Sequence, residues 1–342
     1  MNKLIIFLVS FSFAFFPIPI FGIYAQHKIF SYSIFNYNYS LYRLGISSDK
    51  NKALVGSDGW LFLGNNYVSV MTKSKTNYKI PDDEVNSNEQ FIKKLKDISE
   101  EANSKFKFIA LPNKHSIYGE HLGLNSNVGE YSYYSHNANP VRSNMVSYLR
   151  GMKTKTSNDL YFKTDTHWND LGAFYGYQYL MKYTFNDNFN RIPSSLKFHE
   201  IKYKSGDLAR LLNVEDLIPG KNITVLAPTT DKVIRTNLIT NVVSNVGIQG
   251  DINNFAIKQP INIVNNNALN NISILWLHDS FGRAMSPYMH STFRNVTHQH
   301  YTDAFENMSN LKKLIQNVKP DIILLSVVER NSLSFGKYLP KN

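Results

Sequence analysis

The sequence predicts an α/β fold built on a parallel sheet, and three observations carry that prediction. In the last third of the chain, strand-like and helix-like runs alternate: "ISILWLHDS", "SFGRAMSPYMHSTF", "RNVTHQHY", "AFENMSNLKKLIQNV" and "PDIILLSVVER". Strand, helix, strand, helix, strand is the pattern of parallel strands joined by crossover helices. Earlier, a helical pattern over residues 82–105 places Phe91, Leu95 and Ile98 on one face and leads into "FKFIAL", a strand stopped by Pro112. Between these units, residues from about 190 to 270 are rich in Asn, Ile, Val and Thr with short strand-like runs, and read as an inserted, antiparallel, β-rich segment.

Taken in order, residues 1–25 read as a signal peptide or signal anchor. Lys3 precedes an uncharged, mostly apolar run from Leu4 to Tyr24, close to the roughly 20 residues a spanning helix needs. "IYA" before Gln26 offers a cleavage point, and Pro17 and Pro19 would kink a spanning helix without forbidding it. Either outcome places the rest of the chain outside the cytoplasm: periplasmic, secreted, or anchored to the inner membrane. Residues 26–50 form an irregular lead-in, and 51–342 a single domain. In "ALVGSDGWLFLGN" the Asp58-Gly59 pair lies between two apolar runs, a hairpin signal, with Trp60 and Phe62 alternating inward. Residues 141–151 read as a helix, and 165–183 as an aromatic-rich helix with a polar opening.

Composition excludes whole classes of chemistry. The absence of cysteine removes disulfides, thiolate nucleophiles and Cys-ligated zinc. The formal charge of +11 favours an anionic partner, an acidic glycan or a lipid surface. The lysines are scattered, without an Arg-rich arm, a zinc finger or an RNP-like pattern, so no nucleic acid is expected.

The chemistry-bearing residues lie in two stretches. Ser280 in "ILWLHDSFGRAM" stands where an apolar strand stops and a helix begins, so backbone N–H groups and the positive helix end lie beside its hydroxyl. A serine needs a base to take its proton, and "YFKTDTHWND" supplies His167 with Asp165 two residues away, near enough to hold the other ring nitrogen. Singly, His167 beside Trp168 reads as a packed core histidine; joined to Asp165 and Ser280 it reads as part of a triad. His278 is either a polar wall of the site or a hydrogen-bonded strand-end residue. Asp279 shapes the turn, Asn169 and Asp170 start a helix, and Ser286 is poorly placed as a nucleophile. His298 and His300 alternate on a strand, but without cysteine or nearby carboxylates they make a poor zinc site. No metal and no cofactor is expected.

A strand running into Asp-Ser-helix, with an Asp-x-His pair opening a helix, resembles the SGNH/GDSL esterases, with the order turned round. "FKFIALPNK" is similar to that fold's fourth strand, "TDTHWNDLGAFYGY" to its final Asp/His block, and "WLHDSF" to its serine block. "NVTHQHY" is similar to its second strand and "PDIILLSVVER" to its third. The order 4-5-1-2-3 is a circular permutation that leaves a three-layer parallel-sheet sandwich intact. With "GSDGWLF" and "SGDLARLL", the chain resembles the SGNH-like domain of the alginate O-acetyltransferases (AlgX/AlgJ type) over roughly residues 50–335. That resemblance implies a Ser280 nucleophile, a His167 base and an Asp165 orienting carboxylate. It also implies acetyl transfer to an acidic or neutral polysaccharide, with a membrane-bound O-acyltransferase as the acetyl-delivering partner at the cytoplasmic membrane surface. The asparagine of the third SGNH block is replaced by Glu329-Arg330. Arg330, with Asn331 beside it, is a candidate for the oxyanion or for substrate, against a structural Glu–Arg pair. Two rivals remain open: a carbohydrate O-acetyl esterase using the same triad, and a non-catalytic glycan-binding or assembly protein.

Overall fold

The computed structural model describes residues 34–75, 77–123, 129, 145–186, 188–225, 231–250 and 258–340. The expected signal segment, residues 1–25, lies outside them. No helix among the described residues is long and apolar enough to cross a membrane.

A seven-stranded sheet organises the chain. Its parallel part has the order β3 (Lys105–Leu111), β11 (Ile322–Val328), β9 (Asn270–His278), β10 (Phe293–His300). The sheet is mixed, because β8 (Ile261–Val264), β6 (Lys232–Asn237) and β7 (Val243–Gly247) continue it antiparallel beyond β10. The β-rich insertion is thus partly an extension of the main sheet. Its remaining strands, β4 (Phe198–Tyr203) and β5 (Gly220–Val225), pair as a separate antiparallel ribbon.

Seven consecutive buried residues make β11 a central strand covered on both faces, as parallel sheets require. One face carries Trp276, Val296 and Leu324 beneath α2 (Met145–Lys153), α3 (Asp170–Tyr179) and α5 (Gly282–Thr292). The other carries Leu275, Leu277 and Leu325 beneath α1 (Asp82–Glu101), α6 (Tyr301–Glu306) and α7 (Met308–Val318). These are the three layers. From β9 the chain returns through α5 on one face, and from β10 to β11 through α6 and α7 on the other. The C-terminal end of β9 is therefore a topological switch point, where open α/β sheets hold their ligands.

Several local expectations change. Residues 34–43 are helical, not irregular, and Tyr39 and Tyr42 stack at 6.3 Å against the cluster around Leu208 and Leu212. The helix expected over 165–183 starts only at Asp170, because Asn169 caps it by accepting from the Gly172 N–H. The run 304–318 breaks into α6 and α7 at Asn307, whose side chain caps α7. The hairpin forms as expected: β1 (Ala53–Val55) pairs with β2 (Leu61–Leu63), and Asp58 and Gly59 both take positive φ.

Candidate active site

Ser280 stands between the last residue of β9 and the first of α5. Asp279 braces this corner: Oδ1 accepts from the Phe281 N–H at 3.0 Å, and Oδ2 from the Val328 N–H at 2.8 Å. The serine is thereby tied to the end of the neighbouring strand β11. Gly282 has to be glycine, since a Cβ there would lie 2.4 Å from the His278 ring.

His167 and Asp165 come from a loop between the Tyr161–Trp168 bridge partners, just ahead of α3. His167 Nε2 is 2.7 Å from Ser280 Oγ, and His167 Nδ1 is 2.5 Å from Asp165 Oδ1. A carboxylate can only accept, so Nδ1 carries the proton and Nε2 presents its lone pair to the hydroxyl. Trp168 fastens the two segments together, its Nε1 donating to the Phe281 carbonyl at 3.0 Å.

Asp165 is held as a carboxylate. Burial opposes its charge, but the His167 ring and the N–H groups of Asp207 and His167 hold its pKa well below the usual carboxylate range. The Asp207 N–H that bonds Asp165 Oδ2 at 3.0 Å is the first of α4 (Asp207–Leu211), inside the insertion. Asp207 in turn accepts from the Thr166 N–H at 2.7 Å and from the Thr166 hydroxyl at 2.6 Å, fixing the residue between the two site side chains. Gly206 permits this approach, because a Cβ there would sit 2.2 Å from Asp165 Cβ.

Asp165, His167 and Asp207 offer ligand atoms within 4.8 Å of one another, the one such group among the described residues. Their atoms are already committed to the hydrogen bonds above.

The other candidates fall in different places. His278 is buried and both its ring nitrogens bond elsewhere than to the hydroxyl: Nδ1 donates to the Asp279 carbonyl at 2.7 Å, and Nε2 meets His298 Nδ1 at 3.0 Å. His298 Nε2 continues to His290 Nε2 at 2.7 Å, and His290 Nδ1 donates to the Ile248 carbonyl at 2.6 Å. His298 thus belongs to a chain of three imidazoles, while His300 bonds Thr302. Glu329 and Arg330 both engage Asn113: Glu329 Oε2 accepts from its N–H and Nδ2 at 3.1 Å, and Arg330 Nη1 donates to its Oδ1 at 3.3 Å. The Arg330 guanidinium also lies over the Phe281 ring, 5.5 Å from its centroid. Asn331 Nδ2 reaches Asp279 Oδ2 at 3.4 Å and so supports the corner.

A groove of about 520 Å³ opens beside Thr166 and is walled by Asp207, Arg210, Arg330 and Asn331, with Leu63 and Val68 as apolar parts. Sequence reasoning missed Asp207 and Lys114 as site supports. Lys114 follows Pro112 and Asn113 at the end of β3, a surface-like position in sequence, yet its Nζ is buried behind the 162–165 loop. Nothing in a single sequence signals that burial.

The strands that resemble the fourth, third, first and second of the SGNH fold lie side by side as β3, β11, β9 and β10, and the fold is an SGNH-like α/β fold. Residues 53–237 match the family described as the SGNH hydrolase-like domain of acetyltransferase AlgX. That is more than half of the chain, and the chain belongs to this family; acyl transfer is the class of activity that membership supports. Ser280 lies beyond the matched residues, so its place rests on the geometry. No curated protein matches the sequence.

Bacillus cereus PatB1 with a sulfonyl adduct shares the fold at a TM-score of 0.58 and 19% identity, over 85% of this chain and 100% of that chain. A DHHW family protein from Eubacterium siraeum does so at 0.55 and 15%, over 86% and 98%. The O-acetyltransferase domain of Pseudomonas putida AlgJ is similar at 0.46 and 13%, over 82% and 92%.

Proposed function

We propose that this protein transfers an acetyl group to a polysaccharide hydroxyl outside the cytoplasm, through an acyl-enzyme on Ser280. The observation that carries the reading is the unbroken run from Asp165 through His167 to Ser280 Oγ, at 2.5 and 2.7 Å. His167 Nε2 takes the Ser280 proton as Oγ attacks the carbonyl carbon of the acetyl donor. Asp165 stabilises the imidazolium without accepting its proton. The tetrahedral intermediate collapses, His167 returns the proton to the leaving oxygen, and acetyl-Ser280 remains. A sugar hydroxyl then gives its proton to His167 and attacks the ester, releasing the acetylated glycan and restoring the serine.

The Ser280 N–H has no hydrogen-bond partner among the described residues and heads the turn into α5, where it can donate to the oxyanion. Arg330 and Arg210 on the groove wall suit an acidic glycan, in keeping with the net positive charge. The expected N-terminal signal segment would place the enzyme in the periplasm, free or anchored. A membrane-bound O-acyltransferase would then bring acetyl across, since cytoplasmic acetyl donors do not reach that side.

The test uses an activated acetyl ester with an oligosaccharide acceptor. The expected result is an acetyl group on Ser280, seen by intact-mass spectrometry, and acetylated oligosaccharide in the products. Acetate alone would mark an esterase. Oligosaccharide binding without any acyl-enzyme would mark a binding protein.

A further inference from the structure

Lys114 is a buried lysine with no part in the steps above. It belongs to the helical turn Lys114–Tyr118 that follows β3, and its Nζ donates to three carbonyls: Phe162 and Lys163 at 3.1 Å, and Asp165 at 2.7 Å. We propose that the Lys114 ammonium is a positioning residue of this site, gathering the 162–165 loop so that Asp165, and through it His167, stand in line with Ser280. The inference rests on the triad reading given above.

An ammonium has three N–H bonds, one for each of the three carbonyls; a neutral amine has two, and turns a lone pair toward the third oxygen. The β1–β2 hairpin completes the enclosure. The Trp60 and Phe62 rings lie 5.6 and 5.3 Å from Nζ, and the Leu61 N–H bonds the Lys163 carbonyl at 2.9 Å. The "GSDGWLF" hairpin is therefore the wall of a cation cage, beyond its own packing.

Charged groups surround the cage on each side. Asp165 on the loop and Asp207 on α4 favour the ammonium, whereas Lys163, whose Nζ also lies 5.6 Å from the Trp60 ring centroid, and Arg330, bonded to Asn113, are the cations nearby. Burial dominates and pushes the Lys114 pKa down to about 7. The loop thus loses one of its three ties as pH rises through that value.

The experiment follows covalent labelling of the full chain by an aryl sulfonyl fluoride, which reports an activated serine, by intact-mass spectrometry across pH. In the unsubstituted protein the labelling rate should decline as pH rises above about 7, the alkaline limb that Lys114 sets. Lys114→Arg keeps its charge, so the decline should move to higher pH. Below pH 7, Lys114→Met should label about a hundredfold more slowly than the unsubstituted protein, the scale of a misplaced catalytic group. Circular dichroism checks that each variant is folded. If Lys114→Arg declines at the same pH as the unsubstituted protein, or Lys114→Met labels at the unsubstituted rate, the proposal fails. Should neither variant fold, the unsubstituted profile decides: a rate that stays flat above pH 7 overturns it. Persistent labelling of Ser280→Ala would instead overturn the nucleophile reading, and the Lys114 role with it.

Discussion

Two chains of imidazole hydrogen bonds run from the ends of β9 and α5, and they differ in what closes them. His167 is closed by a carboxylate on one side and by a hydroxyl on the other, at a partly open rim. His278, His298 and His290 are closed at both ends by backbone carbonyls, of Asp279 and Ile248, in full burial. A carboxylate compensates an imidazolium; a carbonyl dipole does so only weakly. The first chain can therefore accept a proton during chemistry. Burial drives the second toward neutrality, with His278 and His290 pushed down to about 4 and His298 well below its usual value. Proton counting sharpens the contrast. Four closed contacts over three rings ending in two carbonyls need four protons, one more than three neutral rings carry. At neutral pH one contact of the buried chain therefore lacks its proton. In the proposed reading the same residue type serves catalysis in one place and packing in the other, and the closing partner decides which.

The largest effect expected on this contrast comes from removing the hydroxyl. Ser280→Ala should cut acetyl transfer by about a millionfold, as loss of a triad nucleophile does elsewhere, while leaving the circular dichroism spectrum intact. Next is the carboxylate: Asp165→Asn turns the His167 tautomer and should cost about ten-thousandfold in kcat. Retained activity in that variant would erase the distinction between the two chains. Gly206→Ala pushes against Asp165 without touching any reacting atom and should cost about a hundredfold.

Smaller still, Trp168→Phe removes the bond to the Phe281 carbonyl. It should cost about 1 kcal/mol of stability in denaturant melts.

The buried imidazole chain makes stability depend on pH. Its folded pKa values lie below the unfolded value of 6.5, so the unfolded state binds more protons. Stability contributed by neutral burial is whole above pH 6.5 and is lost as pH falls toward about 4. Asp165, also depressed, loses its contribution only at lower pH, below the ordinary aspartate range. Replacing His298 by Asn should flatten the dependence of the melting temperature on pH between 6.5 and 4; an unchanged slope would mean the three rings are already charged.

The parts of the site legible in the sequence were those with local causes. Asp165 and His167 are two residues apart, and the serine corner showed as an apolar strand running into a glycine-bearing helix start. That strand order also said which ends share a rim, which is how a partner 113 residues away came into view. Other features stayed hidden for a common reason. Lys114 looks exposed beside Pro112, and Asp207 looks like an ordinary helix start in a region read only as β-rich. His278, His298 and His290 meet because β9 and β10 pair in register, placing His298 opposite Trp276, and because α5 returns over the same face.

By itself the sequence determined the alternation of elements, the turn chemistry and the local Asp-x-His geometry, because each depends on neighbours a few residues away. Only the tertiary structure decided which carbonyls surround Lys114, which strands extend the sheet, and which histidines meet one another in the core. Those outcomes depend on contacts between segments far apart in the chain, where burial and partner, not residue type, set the charge a group carries.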